Sequence, residues 1–207
     1  MSVINKLASS LNRRDEVPNQ ELAKQVASKG DKKAVKELID NLNSKSRDIQ
    51  NDCIKVLYEI GEIKPALIAG YAKEFIALLD HKNNRLQWGA MTAINTITLE
   101  NPKLINGALT KIISTAERGS VIARDYAVNI LIKLCSIKQY SKNAFSLLNE
   151  QILASPVNQL PMYAERAMPI IDDNNKSLFI KTLSSRLVDI DKESKRKRIE
   201  RVIKKFS

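Results

Sequence analysis

The sequence has few of the side chains that metal sites and disulfide frameworks require. It contains one His and two Cys among 207 residues, so His81, Cys53 and Cys135 supply at most three such ligands, and neither a metal site nor a cofactor is expected. The two Cys lie about eighty residues apart and the polar N-terminus does not resemble a signal peptide, which favours a cytoplasmic protein with free thiols. No apolar run approaches the roughly 18 residues of a membrane-spanning helix.

Aromatic residues are also scarce, at 5% of the chain, whereas aliphatic residues recur throughout at spacings of three and four. This spacing is that of one helix face, as in the series Cys53, Ile54, Leu57 and Ile60. Helix breakers separate such stripes at short intervals: Pro18, Gly30, Pro65, Pro102, Gly119 and Pro156. The sequence therefore predicts an all-α fold of about twelve helices joined by short loops.

The helical pattern repeats at a constant offset of 37 residues. This offset places Pro65 on Pro102 and Gly70 on Gly107, inside the similar segments PALIAGY and PKLINGA. It aligns apolar residues on the first helices of the repeats, namely Leu42, Leu79, Ala116, Leu153 and Ile190. It also aligns small residues on the second helices, namely Cys53, Ala90, Ala127 and Ala164. Small side chains let helices cross closely, and stacked helix pairs of this kind form an α-solenoid.

Two segments carry a resemblance to a known family: FIALLDHKNNRLQWGAMTAINTI (Phe75 to Ile97) and KIISTAERGSVIARDYAVNILIKL (Lys111 to Leu134). They resemble the HEAT-repeat family in a short, armadillo-type form, although the period is below the roughly 40 residues usual for those repeats, and the tetratricopeptide pattern fits worse. The resemblance is clear over about residues 31–171. It implies one domain, 1–207, folded as a right-handed α-α superhelix of six helix pairs at about 2–29, 31–61, 65–99, 101–136, 141–171 and 174–206.

In a helical repeat array the second helices usually line the surface that binds partners. The positions opposite their buried stripes therefore predict a concave binding face, formed by Asn51, Lys55, Tyr58, Arg85, Trp88, Thr92, Asp125, Asn129 and Lys133. The only Trp of the chain, Trp88, is predicted on this face, where its rigid ring would anchor a partner. The alternative is that the ring folds back over the groove between repeats as half-buried core.

Both ends of the chain are predicted to be capping helices. Val3, Ile4, Leu7 and Leu11 give the first a single apolar stripe. The last, within Asp191 to Ser207, holds a net +5 of the total charge of +11, since three acidic residues stand against eight basic ones: Lys192, Lys195, Arg196, Lys197, Arg198, Arg201, Lys204 and Lys205. Two interpretations stay open for this basic patch: a cap charged for solubility, or an electrostatic contact for nucleic acid or an acidic protein.

Motifs for catalysis are not found. No P-loop, dinucleotide-binding glycine pattern or nucleophile elbow occurs, and His81 lies in the polar turn DHKNN, so an enzyme is not expected. The chain is similar to the DNA alkylation-repair glycosylases in size, helical build and basic charge, and that likeness would give a role to Asp125, Trp88 and Tyr126. The sequence thus predicts a non-enzymatic scaffold that binds a protein or peptide, with a nucleic-acid-binding protein as the alternative.

Overall fold

The computed structural model describes residues 2–207, and these residues form α-helices joined by short turns. No β-strand occurs among them, so the predicted all-α fold is confirmed. Eight 3₁₀ turns precede or extend the α-helices in this described part of the chain. The α-helices are α1 (Val17–Lys29), α2 (Lys32–Asp40), α3 (Arg47–Ile63), α4 (Ala72–Ala77), α5 (Asn84–Ile97), α6 (Pro102–Gly107), α7 (Leu109–Arg118), α8 (Val121–Cys135), α9 (Ser141–Leu153), α10 (Leu160–Ala167), α11 (Lys176–Arg186) and α12 (Glu193–Phe206).

The local sequence explains where several of these helices begin and end. Pro65 and Pro102, which the 37-residue offset aligns, both stand at the start of a helical segment, where the missing N–H and fixed φ of proline are tolerated. The side chains of Asp31 and Asn83 accept hydrogen bonds from the first backbone N–H groups of α2 and α5, as N-caps do. Gly30 ends α1 at a φ of 63°, a left-handed conformation that favours glycine.

The predicted repeat register is confirmed where second helices carry a small residue. Cys53, Ala90, Ala127 and Ala164 lie on α3, α5, α8 and α10, and each is completely buried. In the two middle repeats a short helical segment that begins at the aligned proline precedes the first helix. The aligned prolines and small residues therefore mark equivalent places in successive repeats.

The helices form two compact units, one that ends at Ala127 and one over Val128–Ser207. In the first, α3 packs against α1, α2 and α5, and α4 packs against α5. In the second, α9 packs against α11, while α10 and α11 pack against α12, around the fully buried rings of Tyr163 and Phe179. The single domain predicted over 1–207 stays a prediction. No helix of residues 2–207 has the length and apolar character needed to cross a bilayer.

The predicted N-terminal capping helix is wrong. The chain instead forms two 3₁₀ turns, Ile4–Lys6 and Ser9–Leu11, because Leu7 between them is extended with a ψ of 150°. Leu7 is nevertheless completely buried, so the apolar residue reaches the core without a helix. The first predicted unit, 2–29, therefore contains one α-helix rather than a pair.

The predicted register also fails at the end of α9. Leu153, which the offset aligns with buried residues, is 48% exposed, and Ile152 before it is completely buried. The inward face of α9 is therefore shifted by one residue relative to the 37-residue pattern.

Candidate functional site

A polar cavity of about 550 Å³ opens in the first compact unit. It is lined by the segment 12–16, which precedes α1, and by residues of α3 and α5. Five of the predicted binding residues lie together there: Asn51, Lys55, Tyr58, Arg85 and Trp88. This Trp88 cavity is the candidate functional site.

Trp88 of α5 is half-buried and packs against Tyr58 of α3. The two ring centroids are 6.0 Å apart and the ring planes are inclined by 48°, a favourable aromatic geometry. The contact leaves Tyr58 only 8% exposed, so its predicted place on the open face is wrong. Trp88 itself fits both interpretations of the sequence, because its ring packs over the contact between α3 and α5 while it also lines the cavity.

Lys55 lies one turn before Tyr58 on α3 and is held by its neighbours. Its ammonium group lies 2.8 Å from Glu16 and 2.7 Å from Glu59, and 4.9 Å from the centroid of the Tyr58 ring. Burial lowers the pKa of Lys55, but hydrogen bonds to Glu16, Glu59 and Tyr58 raise it more, so the net shift is upward. Burial likewise raises the pKa of Tyr58, against a smaller lowering by Lys55. Lys55 is therefore a charged link within the cavity wall, and only 12% of its side chain is exposed.

Two adjacent residues of α3 fix the other walls of the cavity. Asn51 accepts a hydrogen bond at 2.9 Å from the side-chain amide of Asn83, the N-cap of α5. Asp52 accepts hydrogen bonds from the backbone N–H of Ser9 at 2.7 Å and from the side-chain amide of Asn19 at 2.8 Å. Asn19 is only 2% exposed, and hydrogen bonds to a carboxylate are stronger than neutral ones. These contacts attach the N-terminal segment and α1 to α3.

The cavity is lined by equal numbers of basic and acidic side chains: Arg13, Arg14, Lys55 and Arg85 against Asp15, Glu16, Asp48 and Asp52. Some are already paired, since Arg13 lies 2.8 Å from Asp15. Among residues 2–207, no oppositely charged group lies within 4.0 Å of Arg14, Arg85 or Asp48. The cavity therefore presents both signs of charge to a ligand.

The remaining predicted residues do not line the Trp88 cavity. Thr92 is 3% exposed, so its predicted exposure is wrong. Its hydroxyl donates to the carbonyl of Trp88 at 2.9 Å, which satisfies the polar group without solvent. Asp125 is half-buried on the part of α8 that belongs to the first unit. Asn129 and Lys133 are half-buried on the part in the second unit, where Asn129 accepts a hydrogen bond from Arg166 at 3.3 Å.

Sequence reasoning misses the segment 12–16, which forms one wall of the cavity. Its placement depends on Asn12, whose φ is 55°, and on the ion pair from Glu16 to Lys55. The letters NRRDE are equally typical of a solvated turn, so no local signal identifies this wall.

The groups expected for a DNA glycosylase are not assembled at the cavity. Neither Asp125 nor Tyr126 is among the lining residues, and the Trp88 ring packs on Tyr58 instead. Residues 2–207 contain no group of three or more His, Cys, Asp or Glu side chains placed to hold a metal ion. Burial raises the pKa of both Cys53 and Cys135 to about 12, which makes them poor nucleophiles at neutral pH. The lining of the Trp88 cavity offers charged, amide and aromatic side chains for contact with a ligand.

The basic patch on α12 lies in the second unit, which carries a net charge of +7 from 15 basic and 8 acidic residues. Three of its side chains bond outside α12: Arg198 to Glu165, Lys195 to Asn158 and Arg196 to the carbonyl of Ile190. A fourth, Lys197, pairs with Glu193 on the same helix. Within residues 2–207, no carboxylate lies within 4.0 Å of the other four, Lys192, Arg201, Lys204 and Lys205.

Solved structures match this chain along its whole length, although no family profile and no curated protein matches it. A designed armadillo repeat protein in complex with the peptide (KR)4 is similar with a TM-score of 0.66 and 18% identity over 100% of both chains. A second designed armadillo repeat protein gives 0.63 and 15%, over 99% of this chain and 100% of the other. An engineered protein gives 0.63 and 19%, over 100% of this chain and 99% of the other. The chain has an armadillo/HEAT-like repeat fold, as the sequence resemblance implied.

Proposed function

We propose that this protein is a peptide-binding repeat scaffold, and that an extended segment of a partner protein binds in the Trp88 cavity. The observation that carries the proposal is the half-buried Trp88 ring, held against Tyr58 in a polar cavity of about 550 Å³. A Trp held in this way offers a large contact area at a small cost in conformational entropy. The similar designed armadillo protein that is in complex with a peptide supports a binding role for this fold.

The groups around the cavity define the chemistry of the expected segment. Arg14 and Arg85 present guanidinium groups that suit carboxylates, and Asp48 suits a basic side chain. A peptide with acidic and basic residues close together matches this rim, and an apolar or cationic side chain fits against Trp88. The side-chain N–H groups of Asn51 suit a peptide carbonyl, because its oxygen already accepts from Asn83.

The proposal is tested by selecting peptides from a displayed random library and measuring labelled winners by fluorescence anisotropy. Trp88→Ala and Arg85→Ala should each weaken binding, by about tenfold or more for Trp88, which corresponds to about 1.4 kcal/mol. Lys82→Ala is the matched control for Arg85→Ala, because Lys82 is exposed just before α5 and does not line the cavity. The control should bind like the parent protein.

Thermal unfolding of the same variants separates binding from packing. Trp88→Phe keeps an aromatic ring against Tyr58, so it should retain most of the stability while binding less tightly. Unchanged peptide affinity in Trp88→Ala, together with a lower unfolding temperature, would show that the ring serves only the core, and the proposal would be wrong.

A further inference from the structure

A second cavity, of about 400 Å³, lies in the second unit between α12 and the end of α10. Three basic residues of α12 line it: Arg198, Arg201 and Lys205. Because they are three and seven positions apart, they share one flank of the helix. Glu165, Met168 and Val202 complete the lining of this α12 cavity.

One of the three cations is already neutralised. Arg198 binds both carboxylate oxygens of Glu165, at 2.7 and 2.5 Å, the bidentate geometry that is strongest for this pair. The hydrogen bond from Arg198 and the nearby charge of Arg201 lower the pKa of Glu165. The only acidic residue of the lining is therefore ionised and already paired.

Arg201 and Lys205 are left in excess at this cavity. Arg201 donates from Nε to the carbonyl of Lys197 at 3.3 Å, which leaves its terminal nitrogens for a ligand. Lys205 lies 5.9 Å from the ring centroid of Phe206, and no carboxylate of residues 2–207 lies within 4.0 Å of either cation. The unpaired charge at the cavity is positive.

The acidic residues of α12 lie away from this flank. Glu193 and Glu200 are seven positions apart and so share a different flank, which also carries Lys197 and Lys204. Glu193 pairs there with Lys197 at 2.6 Å. The charges of α12 are therefore sorted: mixed signs on one flank, and cations alone on the flank that lines the cavity.

The base of the cavity favours an aliphatic side chain rather than a nucleobase. Met168 is half-buried and Val202 is 3% exposed, so both offer apolar contact. The nearby ring of Phe206 packs edge-on against Phe179, with centroids 6.1 Å apart and planes at 81°. No aromatic side chain lines the cavity, whereas single-stranded nucleic acids bind largely by stacking bases on such rings.

We propose that the α12 cavity binds an acidic peptide segment, with an aliphatic side chain against Met168 and Val202 and carboxylates on Arg201 and Lys205. This second site uses residues of the second unit alone, so it does not depend on the proposed function of the Trp88 cavity. Its ligand also differs, because the lining of the Trp88 cavity is balanced in charge.

The test titrates the full-length protein into a labelled peptide in which one Leu is flanked on both sides by Glu, followed by anisotropy. A matched peptide with Gln in place of Glu should bind at least about tenfold more weakly, since two charge-assisted contacts are lost. The double variant Arg201→Ala/Lys205→Ala should show a similar loss. Lys192→Ala/Lys204→Ala removes the same charge from two exposed positions outside the cavity, the N-cap of α12 and a residue on α12 itself, and should lose less than about twofold.

Three results would overturn the proposal. Equal losses in the two double variants would show attraction by net charge alone. A single-stranded oligonucleotide that competes more strongly than the acidic peptide would identify a nucleic-acid site. Unchanged affinity in Arg201→Ala/Lys205→Ala would place the peptide elsewhere. Trp88→Ala should leave this affinity unchanged, so failure here is distinguishable from failure at the Trp88 cavity, and circular dichroism of each variant checks that the helices are intact.

Discussion

Replacing Gly89 by Ala should disturb the contact between α3 and α5 that positions Trp88. Gly89 is the residue after Trp88, and a Cβ added to it would lie 2.7 Å from Cγ1 and 3.1 Å from Cγ2 of Ile54. Ile54 is 1% exposed, and Cγ1 and Cγ2 both branch from its Cβ close to the backbone, so the added methyl group would force this side chain or its helix to shift. Glycine is unfavourable inside a helix, and the close approach of the two helices explains its presence here.

The magnitude follows from two opposed effects. Overpacking a filled core costs about 1–3 kcal/mol, while Ala gains about 1 kcal/mol over Gly in a helix. The net expectation for Gly89→Ala is a loss of about 1 kcal/mol in the free energy of unfolding, and at most about 2. Gly107→Ala is the matched control, because a Cβ there meets no atom within 4 Å; it should be neutral or stabilising by up to about 1 kcal/mol.

The assay is urea unfolding followed by the fluorescence of Trp88, the only Trp in the chain, which reports on the first unit. Ile54→Ala alone should cost about 2–5 kcal/mol because it leaves a cavity. In the Gly89→Ala background the same change should cost less, since the new methyl group occupies part of that space; an interaction of about 0.5–3 kcal/mol is typical of residues in contact.

Two results would refute this reasoning. Gly89→Ala as stable as Gly107→Ala would mean that the helices have room for a methyl group. Strict additivity of Gly89→Ala and Ile54→Ala would mean that the two residues do not constrain each other.

Three further outcomes are expected. Asp52→Ala leaves two donors without their acceptor, so it should cost about 1–3 kcal/mol and speed tryptic cleavage of the N-terminal segment. The hydrogen bond from Arg198 lowers the pKa of Glu165 from its ordinary 4.5, so this pair stabilises the fold above about pH 4.5, and the contribution is lost as pH falls. Both side chains are more than a third exposed, so Glu165→Gln should cost less than about 1 kcal/mol at pH 7. The variant should also show a smaller dependence of the unfolding midpoint on acid pH. Burial raises the thiol pKa of Cys53 and Cys135 to about 12, so iodoacetamide at pH 8 should react slowly with both until urea unfolds the protein.

The repeat architecture was predictable from the sequence because its signals are local. A proline at the start of a helical segment and a small residue at a helix crossing each have one main physical cause, and both recur at the same offset. Pro65 and Pro102 occupy equivalent turns, and Ala90 and Ala127 are both completely buried. Constraints of this kind depend on the helix itself and on its nearest neighbour.

The exposure of individual side chains was less predictable, because it depends on what the neighbouring repeat carries. The offset identifies Thr92 and Lys55 as equivalent positions, yet Thr92 is 3% exposed while 12% of the Lys55 side chain is exposed and paired with two acids. Tyr58 is buried because the large ring at position 88 covers it. Alignment of the repeats identifies equivalent positions along the chain. How deeply a side chain is buried at such a position depends on the size of the side chains that face it on the neighbouring helix.

The N-terminus shows how tertiary hydrogen bonds override a helical pattern. Val3 and Leu7 are spaced for a helix and both are buried. However, the backbone N–H of Ala8 donates to Asn19 at 3.0 Å and that of Ser9 to Asp52 at 2.7 Å. In a continuous α-helix these groups would donate to carbonyls one turn earlier. Two acceptors on other helices therefore compete for the donors that the predicted helix needs.

The net charge of +11 acquires meaning only when each cation is traced to its acceptor. On α12, Arg198 has its charge matched by the carboxylate of Glu165, whereas no carboxylate of residues 2–207 lies within 4.0 Å of Arg201 or Lys205. At the Trp88 cavity, Arg14, Arg85 and Asp48 have no oppositely charged group within 4.0 Å in the part of the chain that the structure describes. The charges without a partner are therefore of both signs at the Trp88 cavity and positive at the α12 cavity. Because unpaired charges are the ones that a ligand meets, we expect the two cavities to select different ligands.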